Sequence, residues 1–118
     1  MIRFQIVERT GAHLYRQLIE AMRSGDLRTF YLTGRGRKVS HVNPTYAGWM
    51  NWSHTDGVIT CEVISPRKPG SEWRLFSAFV GRLADRFAEM IHCVNVQFSD
   101  SIPAIGARTG RKRARRKR

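Results

Sequence analysis

The side chains with the greatest chemical reach in this 118-residue chain are its arginines and lysines, 21 against 9 acids, for a net charge of +12. They are unevenly placed. Residues 108–118 hold eight of them and no acid, which leaves 13 basic and 9 acidic residues in the body, a balance of only +4. A segment of this kind displaces counterions from phosphates, so it binds nucleic acid with an affinity that falls steeply with salt. Arg111, Lys112, Arg113, Arg115, Arg116, Lys117 and Arg118 are therefore candidate nucleic-acid-binding residues. The same composition also serves a targeting signal, contact with anionic lipid, or plain solubility.

Two further basic clusters lie in the body. Arg35, Arg37 and Lys38 sit in the glycine turn Gly34-Arg35-Gly36-Arg37-Lys38, and Arg67 and Lys68 follow Pro66. Between them in the chain come Tyr46, Trp49 and Asn51, then Ser53 and Thr60. An aromatic ring stacks a base, and amides and hydroxyls donate to base edges or a 2′-OH. The Arg35-Gly36-Arg37 core is similar to the centre of an AT-hook, without its flanking prolines. The C-terminal run resembles arginine-rich RNA-binding segments and, equally, nuclear localisation signals.

A catalytic alternative starts from Glu62. Metal-free ribonucleases need a base, a second acid or imidazole, and a cation for the phosphorane. Glu62, His41 and Arg37, with Lys38 beside them, supply those types if the third and fourth strands are neighbours. His54 is set aside here because hairpin pairing puts it on the core side. No metal or cofactor is expected. His13, His41, His54 and His92 are scattered, Cys61 and Cys93 form no CxxC, and neither a phosphate-binding P-loop nor a GxSxG is present.

The elements that must position these groups centre on Gly48–Ser65. Asp56-Gly57 between alternating apolar residues signals a tight hairpin, since a type I′ turn needs φ > 0 at both central positions. Centring the turn there predicts that Trp49 faces Ile64, Asn51 faces Glu62, Trp52 faces Cys61 and Thr55 faces Val58. One face is then Met50, Trp52, His54, Ile59, Cys61 and Val63. The other carries Trp49, Asn51, Ser53, Thr60 and Glu62. A one-residue slip would bury Glu62, so the register is well specified.

Ile2, Phe4 and Ile6 alternate as a first strand, and Thr10 caps a helix from Gly11 to Gly25. Residues 28–33 and 38–42 form two strands. Ser71 caps a long helix to Ile91 or His92, with Trp73, Phe76, Val80, Leu83, Phe87 and Met90 as its stripe. Val94, Val96 and Phe98 alternate as a last strand. The expected order is β-α-β-β-β-β-α-β. This is an α+β domain over 1–99, with two helices on one face of a mostly antiparallel sheet and a disordered basic tail over 100–118. Its layout is similar to that of double-stranded-RNA-binding domains, although the second helix opens Ser71-Glu72-Trp73 without their lysine cluster.

The cysteines read as two buried, reduced thiols. No signal peptide or membrane span is expected, so the protein is expected in the cytoplasm, or in the nucleus if the cell has one. Nucleic acid is the expected partner, RNA ahead of DNA. A small metal-independent ribonuclease or toxin, and a homodimer through Trp49, Val58 and Ile64 on the outer sheet face, are the alternatives.

Overall fold

The hairpin forms in the expected register. In the computed structural model, which describes residues 2–66 and 70–98, β4 (Trp49–Thr55) and β5 (Val58–Ile64) pair antiparallel, with Trp49 opposite Ile64, Asn51 opposite Glu62 and Thr55 opposite Val58. Asp56 and Gly57 both have positive φ, 51° and 77°, as a type I′ turn requires. Arg67, Lys68 and the 100–118 segment lie outside the described residues.

The element order is as expected: β1 (Ile2–Glu8), α1 (Leu14–Ser24), β2 (Phe30–Thr33), β3 (Lys38–His41), β4, β5, α2 (Glu72–Arg86) and β6 (Ile91–Phe98). The six strands form one wholly antiparallel sheet in the order β2-β3-β4-β5-β1-β6. The first strand is thus inserted between the hairpin and the last strand. Four strands separate the helices, one more than in the double-stranded-RNA-binding layout.

Both helices pack on one face. Leu14, Leu18, Ala21 and Met22 of α1 and Leu75, Phe76, Phe79 and Leu83 of α2 meet Phe4, Ile6, Phe30, Val39, Met50, Trp52, Ile59, Cys61 and Val63 from the sheet. Phe4 meets Phe76 edge-on at 5.0 Å between centroids, and Phe30 meets Phe79 at 5.2 Å. Each fully buried side chain of this size contributes about 2 kcal/mol by leaving water. Cys61 is buried among them, which pushes its thiol pKa up. Cys93 is only half-buried, contrary to expectation.

Three helix details differ from the sequence reading. Thr10 does not cap α1. The helix begins at Leu14, and the Glu8 carboxylate accepts from the backbone N–H groups of His13 (3.2 Å) and Leu14 (3.1 Å), supplying the cap from the preceding strand. Ser71 makes no side-chain cap. The long helix stops at Arg86. Phe87 and Met90 keep the helical spacing but pack on the core around a 3-10 turn, Ala88–Met90, and β6 starts three residues earlier than expected. The stripe is consequently rotated onto Leu75 and Phe79, leaving Trp73 50% exposed beside Phe98 at 49%.

Candidate nucleic-acid interface

The strand alternation that builds the core also builds the opposite face, which no described element covers. One row crosses all six strands: Thr33, Lys38, Asn51, Glu62, Arg3 and Gln97. At ~4.8 Å per strand it spans about 24 Å. A second row runs Ser53, Thr60, Gln5 and Asn95. Between the two rows lies a shallow depression of about 480 Å³, lined by Arg3, Gln5, Asn51, Ser53, Thr60 and Glu62.

The electrostatics of this face turn on Glu62, its one carboxylate among the described residues. A carboxylate repels phosphate, but Arg3 donates to Glu62 Oε2 from both Nη2 (2.7 Å) and Nε (3.2 Å). The fork neutralises the acid and sets the planar guanidinium in one orientation. Lys38 Nζ lies 4.9 Å from the Trp49 ring centroid. The Trp49 indole donates to Asn51 Oδ1 at 3.1 Å, which fixes the ring against the strand, and Gln97 donates to Gln5 at 3.0 Å. The Trp49 ring and these amides are thus held in place before any ligand arrives, which lowers the entropic cost of binding.

Of the residues singled out in the sequence, Lys38, Trp49, Asn51 and Glu62 come together here. Arg35 and Arg37 are exposed at the β2–β3 turn, at the same sheet end as Asp56-Gly57. That turn is tight, with Gly34, Arg35 and Gly36 all at positive φ, and Gly36 O accepts from the Trp52 indole at 2.7 Å. It is therefore not the extended strand that an AT-hook lays in a groove. Tyr46 is not beside Trp49. It lies on the helix side, stacked on His41 at 4.1 Å, with the Arg74 guanidinium 5.5 Å from its ring centroid.

The Glu62–His41–Arg37 constellation does not assemble. His41 shares the inner face with Val39 and meets Phe30 edge-on at 5.0 Å, whereas Glu62 points outward. Its Nδ1 accepts from the Asn43 N–H at 2.9 Å. Burial, and secondarily the charge of Arg82, hold its pKa below the ordinary imidazole value. His41 is a packed histidine at the far end of the sheet from Arg37.

Sequence reasoning missed Arg3, Gln5, Gln97 and Tyr31. Tyr31 is 45% exposed and pairs with Ser40 on the outer side of β2, so it offers a second ring on the face that carries Trp49. Outward alternation in β1 and β6 marks Arg3, Gln5 and Gln97, but nothing local says that these strands flank the hairpin. Among the described residues no group of His, Cys, Asp and Glu could hold a metal, and no helix is long and apolar enough to cross a membrane. Comparison with family models, curated proteins and solved structures gives no match, so the arrangement of side chains is what the functional reading rests on.

Proposed function

We propose that the chain is a nucleic-acid-binding domain, RNA ahead of DNA, whose outer sheet face takes a single strand while the basic 108–118 segment adds affinity. The observation that carries the reading is the Arg3–Glu62 fork. It offsets the one carboxylate that the described residues place on this face, which otherwise offers Lys38, two aromatic rings and a row of amides and hydroxyls. Stacking on Trp49 and Tyr31 is worth about 1–3 kcal/mol per base and tolerates any sequence. Asn51, Gln5 and Gln97 add hydrogen-bond discrimination.

The test is fluorescence anisotropy of a labelled single-stranded RNA titrated with the full chain at several salt concentrations. Trp49→Ala should weaken binding by about tenfold or more without changing the salt slope. Deleting residues 108–118 should weaken it further and flatten the slope, by about 0.7 for each phosphate that is no longer neutralised. Absence of binding by the intact chain at low salt refutes the reading. Equal binding by Trp49→Ala removes the sheet face from it.

A further inference from the structure

The sheet end that carries Asp56-Gly57 holds a second constellation, on the helix side. Glu8 ends β1 there, and its backbone N–H donates to Gly57 O at 3.0 Å, tying the strand to the hairpin turn. Its carboxylate then grips the first turn of α1 through the His13 and Leu14 N–H groups. His13 is held in the left-handed region at φ 56°. Tyr15, at the start of α1, packs its ring between Trp52 (4.8 Å) and His54 (5.0 Å, planes within 7°). These contacts frame a cleft of about 370 Å³ lined by Glu8, His13, Tyr15, Arg16, His54 and Gly57. That volume is within the range of small-ligand sites.

Two histidines and an exposed arginine face one cleft, from the start of α1 and from the hairpin some 40 residues further along the chain. Among the described residues, neither imidazole makes a side-chain hydrogen bond and the Arg16 guanidinium has no ion-pair partner. Both oxygens of Glu8, by contrast, are already occupied by backbone N–H groups. The free groups are the three that phosphodiester transesterification needs: a proton acceptor, a proton donor and a cation for the phosphorane oxygens.

We propose that this cleft cleaves RNA, with His13 and His54 as the proton-transferring pair and Arg16 on the phosphate. The step uses only the substrate's own atoms. One neutral imidazole takes the 2′-OH proton as O2′ bonds to phosphorus. The P–O5′ bond breaks, and the other, protonated imidazole gives its proton to the departing O5′. The products are a 2′,3′-cyclic phosphate and a 5′-hydroxyl, with no water, metal or cofactor consumed. The inference rests on the reading of the chain as an RNA binder. It adds a site that the outer sheet face does not contain, at the turn end of the same hairpin.

The experiment incubates the full chain in EDTA with an end-labelled oligoribonucleotide, and in parallel with the same sequence carrying 2′-deoxyribose throughout. Cleavage of the first into cyclic-phosphate ends, with the second intact, is the expected result. His13→Ala and His54→Ala, purified identically, should each lower the rate at least 100-fold. Both should still bind the uncleavable deoxy strand within about threefold of wild type, which shows that they are folded. The double variant should be little slower than either single one, because the pair acts as a unit. His41→Phe should cleave at the wild-type rate. Deoxy-strand binding without RNA cleavage overturns this inference and leaves the binding reading standing. Absence of cleavage and of binding to either the RNA or the deoxy strand overturns both. Cleavage that survives either alanine variant overturns the assignment of the activity to this cleft.

Discussion

The two ends of the sheet treat their histidines in opposite ways. At the end that carries the 42–48 loop, His41 is wedged between Phe30 and Tyr46, its Nδ1 is occupied by the Asn43 N–H, and burial disfavours its charged form. At the turn end, His54 is exposed and stacked on Tyr15, and His13, also exposed, stands at the start of α1 and lines the cleft. The first arrangement is that of a side chain used for packing. The second leaves both imidazoles without a side-chain hydrogen bond among the described residues. Residue type is thus a weak guide to chemistry, whereas the number of satisfied neighbours is a strong one.

The sharpest way to test that contrast is through the glycine at each end. Gly48 has φ +94°, and a Cβ there would stand 2.1 Å from the carbonyl oxygen of Ile64, a backbone atom that cannot swing away. Gly48→Ala should cost about 3 kcal/mol or more, read as a drop in urea midpoint with unchanged m-value. Gly57→Ala meets only the Glu8 side chain, whose Cγ at 3.3 Å needs to give by a few tenths of an ångström. It should cost about 1 kcal/mol, chiefly for its positive φ. Equal costs would mean that the loop end is no more tightly built than the turn end.

The histidines give the next largest difference. His41→Ala removes two ring contacts and the acceptor of the exposed Asn43 N–H, so equilibrium unfolding should show a destabilisation of about 1–2 kcal/mol. His54→Ala gives up one partly exposed stack and should cost under about 1 kcal/mol. A reversal of that order would make His54 the structural residue and turn attention to His41 for chemistry.

Between the two ends lies the Arg3–Glu62 fork, and its effect should be smaller again. Glu62→Gln keeps the shape of the side chain but frees the Arg3 charge. RNA affinity should rise by less than about tenfold, and the salt slope should steepen by about 0.7, the value for one phosphate. Because the pair is exposed, unfolding free energy should move by no more than about 1 kcal/mol. Unchanged affinity would show that the nucleic acid does not cross this row.

The smallest effect is in pH. The folded-state pKa of His41 lies below its unfolded value, so between the two the unfolded chain binds more protons. Its contribution is therefore intact above the ordinary imidazole value of about 6.5 and is lost as pH falls toward the folded pKa. Urea titrations from pH 7 to pH 5 should show wild type losing stability with a steeper slope than His41→Phe. The same slope in both would show that the packed imidazole is not what acid destabilises.

The hairpin is legible in the sequence because its information is local. Asp56-Gly57 demands one turn geometry, and the alternation on both sides decides which side chains are core and which are outer. The second helix is less legible. Phe87 and Met90 continue its apolar spacing, yet they satisfy the core from a 3-10 turn, a choice that spacing does not encode. His54 misleads for a related reason. Alternation correctly assigns it to the inner face, but being on that face is not being buried: α1 begins at Leu14 and covers only one side of the ring, through Tyr15.

The residues by themselves determined the order of elements, the hairpin register and the split of each strand into a core side and an outer side. These depend on i±2 and i±4 relations that the backbone imposes wherever the segment ends up. Which segments then meet was decided only by the tertiary structure. Inserting β1 between β5 and β6 joins residues 59 and 92 positions apart, bringing Arg3 to Glu62 and Gln5 to Gln97. The same insertion sets Glu8 against Gly57 and seats the start of α1, with His13, Tyr15 and Arg16, beside His54. Such pairings are won by burying Ile2, Phe4 and Ile6 at the centre of a shared core against the loop entropy of closing the chain. That balance belongs to the whole molecule, and no short stretch of sequence carries it.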